Sequence, residues 1–346
     1  MVPAKMLDHK DRAFLTLVKK SCGAVAPTHS HTRPNELGEK MSRGDCTRNS
    51  FGGRGRGEKM KSLGLALGGG GLKGLAHIGV LQVLADHRIP PNYITGTSAG
   101  SIFAALYASG ISPYQMEEII CSLSSGDYLD YNITGIIKYL LNLVLPCCDY
   151  SLDGLLAGDK IEKLVNRLTG GKSLADSELP LAIVACDIDS GRKIIFTNHS
   201  LNLPDSEIII EDALLSEAVR SSISIPVTFR PKQFQGMQIV DGGLKDIVPV
   251  MVTKYMGADY VLGINLGKEI YQTKVKGIPQ IIRRTLSIMT FETSDTEADF
   301  FADMLLHPEV PEVNFTDIKE AAKLIKAGRK VMRAHIAHLK RELEER

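Results

Sequence analysis

Four consecutive glycines, Gly68-Gly69-Gly70-Gly71, follow the apolar run Leu63-Gly64-Leu65-Ala66-Leu67, and no other feature constrains this chain more. Glycine loses more backbone freedom on folding than any other residue, so a run of four is costly to order. Such a run at the end of a strand implies that bare backbone must approach something closely there. Beyond it, Leu75, Ile78, Leu81, Leu84 and Ala85 recur at helical spacing until Pro90-Pro91 ends the pattern. The order strand, glycine loop, helix is therefore predicted from Ser62 to His87.

The same alternation continues. Tyr93–Thr95 reads as a second strand and Ala99–Ser109 as a small-residue helix closed by Gly110. Ser112-Pro113 supplies N-cap and first-turn chemistry for the next helix. Asp159–Leu168 and Asp212–Arg220 read as helices; Leu181–Ile188, Lys193–Thr197, Gln238–Val240 and Asp259–Leu266 read as strands; two helical stretches, about 278–305 and 316–345, follow. Alternating elements of this kind predict an α/β fold with a mostly parallel central sheet sandwiched by helices. At 346 residues and 44% hydrophobic, the chain has ample material for one large core.

Charge separates the first sixty residues from the rest. Residues 1–60 hold 12 Lys+Arg against 6 Asp+Glu, a balance of +6, and the remainder holds 29 against 34, a balance of −5. With Gly52-Gly53-Arg54-Gly55-Arg56-Gly57 and little apolar periodicity, 1–60 reads as a disordered basic tail ahead of a catalytic domain at 61–346. An equally open reading starts the native protein at Met60. The slightly acidic body argues against nucleic-acid binding. Six cysteines (Cys22, Cys46, Cys121, Cys147, Cys148, Cys186) show no zinc-type spacing and read as reduced thiols of a cytosolic protein. No uncharged apolar stretch reaches the ~18 residues that suggest a transmembrane helix.

Three chemistries could use the glycine loop. A phosphate-binding P-loop fails, because Lys73 is followed by Gly74 rather than Ser or Thr. The dinucleotide fingerprint matches at Gly69, Gly71 and Gly74, but the second strand ends in Ile94-Thr95-Gly96-Thr97-Ser98 without the acid that would hold a ribose, and Asp86 lies too early. The third reading starts from Gly96-Thr97-Ser98-Ala99-Gly100, a G-x-S-x-G that places Ser98 on a sharp strand-to-helix turn. A serine attacking an ester builds charge on the carbonyl oxygen, and backbone N–H groups of Gly69, Gly70 and Gly71 are suited to receive it. Lys73 and the helix start would add positive potential.

A serine nucleophile needs a base, and the nine histidines are poorly placed. His77 and His199 read as structural. An acid is better placed: Val240-Asp241-Gly242-Gly243 follows a strand and opens a glycine turn, where partial burial would raise the Asp241 pKa toward that of a working base. An ordinary Asp-Gly turn is the competing reading.

Taken together, Gly69-Gly70-Gly71-Leu72-Lys73-Gly74, Gly96-Thr97-Ser98-Ala99-Gly100 and Asp241-Gly242-Gly243 resemble the patatin-like phospholipase family, whose G-G-G-x-[RK]-G, G-x-S-x-G and D-G-[GA] motifs occur in this order. The resemblance spans about 62–345, including Ala218–Pro226 and Ala185–Gly191, and the length is similar to that of small bacterial members. It implies a Ser–Asp dyad with Ser98 as nucleophile and Asp241 as base, an oxyanion hole from Gly69, Gly70 and Gly71, and supporting roles for Lys73, Gly74, Gly96, Gly100, Gly242 and Gly243. It also implies hydrolysis of lipid acyl esters through an acyl-enzyme, with no metal or other cofactor. The expected substrates are phospholipid, lysophospholipid or a related acyl ester, and the expected place is the cytoplasm, with peripheral contact to the inner face of a membrane. A catalytically weak regulatory or adaptor protein on the same fold is the alternative. Asp187 receives no role beyond a strand end.

Ile133–Pro146 carries one charge, Lys138, and one aromatic, Tyr139. It reads as a lid or interfacial helix, or, as the preferred reading, a helix buried over the active site. The final helix carries an apolar stripe, Ile318, Ala322, Ile325, Met332, Ile336, Leu339 and Leu343, expected to face the core.

Overall fold

The computed structural model describes residues 60–144, 153–201, 206–267 and 274–345. Strand β1 (Leu63–Leu67) is buried along its whole length. It pairs in parallel with β2 (Tyr93–Thr97) on one side and with β8 (Tyr260–Ile264) on the other. Helices cover both faces of a parallel sheet, so its strands read as unbroken apolar runs. β3 (Leu181–Asp187) pairs in parallel with β2, and β4 (Lys193–Thr197) antiparallel with β3. Two strands of three residues close the sheet edges, β5 (Ile208–Ile210) on β4 and β9 (Met304–Leu306) on β8. The order is β5-β4-β3-β2-β1-β8-β9. The hairpin of β6 (Lys232–Phe234) and β7 (Met237–Asp241) joins through β7, which runs antiparallel to β3.

That last pairing positions the site. β2 lies against β3 as far as Thr97, opposite Val184. β7 arrives from the other direction along the same strand and ends at Asp241, opposite Ala185, the next residue. The two strands thus point their C-terminal ends at each other, and Ser98 and Asp241 meet at the join.

Helix α1 (Ala76–Asp86) is preceded by a 3-10 turn at Gly71–Leu75. It packs against the long C-terminal helix, which runs Ala321–Glu344. The expected stripe of that helix is buried at Ile325, Met332, Ile336, Leu339 and Leu343, but its first turn turns inward through Ala321 and Leu324 rather than Ala322. Helix α2 (Ala99–Ala108) follows Ser98 directly, and α3 (Pro113–Ser122) begins at a capping box formed by Ser112 and Gln115. The helix expected near Asp212–Arg220 forms at Leu215–Ser222. A helix expected to reach residue 305 ends at Phe301, and the chain then pairs as β9; three residues are too few to show a strand period.

Ile133–Val144 is helical; in its first turns Ile133 and Ile137 are 62% and 52% exposed, so that side of the helix expected to be buried faces outward, while Gly135 is buried. Residues 145 and 146 and Cys147-Cys148 lie outside the described residues, as do residues 1–59 with their expected tail, Cys22 and Cys46. Cys121 and Cys186 are free thiols. Among the described residues no helix is long and apolar enough to cross a membrane.

Candidate active site

Ser98 sits between the last residue of β2 and the first of α2, with φ 50 and ψ −123. A non-glycine residue with positive φ is uncommon and stores strain of roughly 1–3 kcal/mol. The surroundings hold it there. Its N–H donates to Ser222 Oγ at 2.8 Å, and Ser222 Oγ donates to the Val184 carbonyl at 2.6 Å, which ties the turn to β3. Its carbonyl accepts from the Ser101 N–H at 2.9 Å and the Ser101 hydroxyl at 2.6 Å. Gly100 is required by contact: a Cβ there would lie 2.0 Å from the Leu67 carbonyl oxygen of β1. Gly96 meets the backbone of the first turn of α2 in the same way, and Gly74 makes room for the Ala99 methyl, so two motif glycines let backbones touch around the serine and a third admits a side chain.

Asp241 is 6% exposed. Burial pushes its carboxyl up from 3.8 to about 6, against the pull of the Ser98 hydroxyl and of the Gly243 N–H. Oδ1 accepts that N–H at 2.7 Å. Oδ2 has no partner in good hydrogen-bond geometry, so the Ser98 hydroxyl influences the carboxylate without a fully formed bond to that oxygen. Loosely aligned serine–base contacts are common before substrate binds. Gly242 lies over the Val184 carbonyl, where any side chain would collide.

The glycine loop divides its work. The Gly68 N–H donates to the Ile264 carbonyl at 3.0 Å and the Gly69 N–H to the Ile247 carbonyl at 2.9 Å, which anchors both residues to neighbouring backbone. Gly69 is therefore not available as an oxyanion donor in this arrangement, contrary to the expectation from the motif. The N–H groups of Gly70 and Gly71 donate to nothing among the described residues. Gly71 has φ +57, a left-handed conformation open to glycine at little cost. Lys73 is buried within the turn that follows.

The histidines behave as structural groups. His77 is fully buried, its Nε2 is 2.8 Å from the Gly68 carbonyl, and desolvation lowers its pKa to about 4. It stays neutral at ordinary pH and holds the glycine loop from beneath. His199 Nε2 lies 3.1 Å from the Met256 carbonyl, away from the serine. Asp187 accepts from the N–H groups of Asp189 and Ser190 and so caps the β3–β4 turn.

Two hollows of opposite character meet at Ser98. One is an apolar cavity of about 130 Å³ that runs from Ser98 between α2, α3 and α4 (Asp159–Leu168), past Ile102, Met116, Leu164 and Val165. The other is an open cleft of about 700 Å³ that reaches Ser98 and Asp241 from outside, with Gly70, Lys73, Lys274, Arg283 and Glu312 on its walls. Neither was legible in the sequence, because their walls come from helices far apart in the chain. Ser222 was missed as well. It lies inside the Ala218–Pro226 segment, but only β3 packing reveals that it holds the serine turn.

The patatin-like phospholipase model matches residues 65–254, more than half of the chain. Over 208 residues the chain is 27% identical to lysophospholipase NTE1 of Debaryomyces hansenii, covering 60% of this chain and 12% of that one. Over 239 residues it is 26% identical to an uncharacterised NTE-family protein of Mycobacterium tuberculosis, covering 69% and 58%. The chain thus spans about an eighth of the fungal relative and somewhat over half of the mycobacterial one. Among solved structures it is similar to ExoU of Pseudomonas aeruginosa, solved with SpcU, at a TM-score of 0.41 and 16% identity over 83% of this chain and 53% of that one. On the match of its 65–254 segment, this chain belongs to the patatin-like phospholipase family.

Proposed function

We propose that this chain is a serine hydrolase of lipid acyl esters, working through a Ser98–Asp241 dyad and an acyl-enzyme. One observation carries the reading: a strained, buried serine at a tight strand-to-helix turn and a buried carboxylate are brought together where an apolar cavity meets a polar cleft. An ester with a hydrocarbon chain on one side and a polar group on the other fits that division. The names of the fungal relatives, lysophospholipases, support a lysophospholipid or phospholipid as substrate.

In this mechanism Ser98 Oγ attacks the ester carbonyl while Asp241 takes its proton. A base with a pKa of about 6 is ionised at neutral pH and still basic enough to accept it. The carbonyl oxygen becomes an oxyanion, which the N–H groups of Gly70 and Gly71 receive; one such donor is worth roughly 2.7–4 kcal/mol of barrier. Asp241 returns the proton to the leaving alcohol. Water, deprotonated by the same carboxylate, then releases the fatty acid and restores Ser98.

The test is pre-steady-state turnover of a chromogenic acyl ester by wild type and Ser98→Ala, followed by phospholipid and lysophospholipid. A stoichiometric burst that vanishes in the variant supports the acyl-enzyme. An equal burst in both would sink it.

A further inference from the structure

Gly71, Leu72, Ser98, Leu129, Ile225 and Phe315 border both the apolar cavity and the open cleft. They therefore rim the passage from one hollow to the other. Gly71 and Ser98 belong to the reacting centre. Of the other four, Phe315 alone brings a ring, and it comes from the segment between β9 and the C-terminal helix. A tight turn holds it. The Asp317 N–H donates to the Asn314 carbonyl at 3.0 Å, and Asp317 Oδ2 accepts the Asn314 N–H at 2.8 Å, so Phe315 is the second residue of a closed four-residue turn.

Three contacts fix the ring within the passage. The Tyr128 hydroxyl donates to the Phe315 carbonyl. The buried Phe229 ring meets the Phe315 ring edge-on, with centroids 6.2 Å apart and planes at 83°. A Cβ on Gly71 would stand 3.2 Å from Phe315 Cε1, so the ring edge lies against the loop whose N–H groups would receive the oxyanion. With the ester carbonyl carbon at Ser98 and its oxygen on Gly70 and Gly71, the first acyl carbons leave the reacting centre beside Gly71 and enter the cavity past Phe315. A straight chain presents one methylene at a time there. A branch next to the carbonyl widens the group where Leu129, Ile225 and Phe315 share one apolar cluster, and packed side chains yield poorly to added volume.

We propose that Phe315 is a specificity-determining residue: held by Tyr128, its ring admits straight acyl chains to the cavity and refuses acyl groups branched beside the carbonyl. This role rests on the Ser98–Asp241 reading and adds the substrate class to it, esters of unbranched acids.

The experiment is turnover of para-nitrophenyl octanoate and of its branched isomer, para-nitrophenyl 2-ethylhexanoate, by the full chain as wild type, Phe315→Ala, Tyr128→Phe and Ser98→Ala. The readout is the ratio of kcat/KM for the branched ester to that for the straight one. A purely structural role for Phe315 would lower both values together and leave the ratio alone. Phe315→Ala is expected to raise the ratio at least about tenfold, the scale on which a pocket discriminates one small alkyl group. Tyr128→Phe keeps the ring and removes one hydrogen bond, and is expected to raise the ratio about threefold. A wild-type ratio in Phe315→Ala, with turnover lost in Ser98→Ala, would overturn the role of Phe315 and leave the serine reading standing. If Phe315→Ala does not fold, a wild-type ratio in Tyr128→Phe overturns it instead. Turnover that survives in Ser98→Ala would overturn both.

Discussion

Asp241→Asn tests the burial of the carboxylate as a thermodynamic quantity, apart from any role in catalysis. Burial raises the carboxyl from 3.8 to about 6, a shift of about 2 units. At about 1.36 kcal/mol per unit, that is about 3 kcal/mol. The residue is 6% exposed, so solvent screening takes little from this figure. The sign follows from proton uptake. Below pH 3.8 the group is protonated in both folded and unfolded chains and costs nothing. As pH rises, the unfolded chain releases the proton first, while the folded chain keeps it until about 6, so folding stability falls through that window and levels off above it. Asparagine does not titrate, and its oxygen can still accept the Gly243 N–H. The stability of Asp241→Asn relative to wild type should therefore increase by about 3 kcal/mol between pH 3.8 and pH values above 6. Urea unfolding of both proteins across that range measures the difference, and contributions from every other titrating group cancel. A difference that stays flat would mean the carboxylate is not desolvated; one that falls with pH would mean it is paired with a cation.

Four further outcomes are expected. On a soluble ester, kcat/KM should rise with one proton and level off above about 6, as Asp241 ionises; in Asp241→Asn the rate should fall by about 10²–10⁴, measured with the same ester. Gly71→Ala forces a side chain into φ +57 beside Phe315, so it should cost roughly 1–2 kcal/mol in unfolding experiments and lower kcat more than it changes KM. His77→Phe leaves the Gly68 carbonyl without its partner and should destabilise the chain by about 1–3 kcal/mol, with no new inflection in the pH–rate profile. Val165→Phe narrows the apolar cavity, and its kcat/KM should drop at least about tenfold on long-chain esters while holding on short-chain ones.

Much of this protein is local and therefore readable in order along the chain. The α/β alternation shows in apolar runs and helical spacing, because in a parallel sheet buried on both faces each element carries its own signal. Ser98 on a tight turn and Asp241 at a strand end are legible for the same reason: each sits in a glycine context that only a few chemistries require. The short strands Ile208–Ile210 and Met304–Leu306 have no period of their own and exist by pairing with a neighbour. Gly69, Gly70 and Gly71 are alike in the sequence, and only the packing of Ile247 beside the loop separates the anchored N–H of Gly69 from those of Gly70 and Gly71. The meeting of Ser98 with Asp241 depends on β2 and β7 ending head to head on β3, a register between segments more than a hundred residues apart in number. The cavity and the cleft likewise arise from which surfaces are left over once distant helices have packed. The sequence by itself determined the elements and the reactive residues, since propensity, turn chemistry and hydrophobic period act over a few neighbours. The tertiary structure decided which donors are free, how deeply the carboxylate is buried and what surface surrounds it, since those quantities depend on contacts that no local pattern encodes.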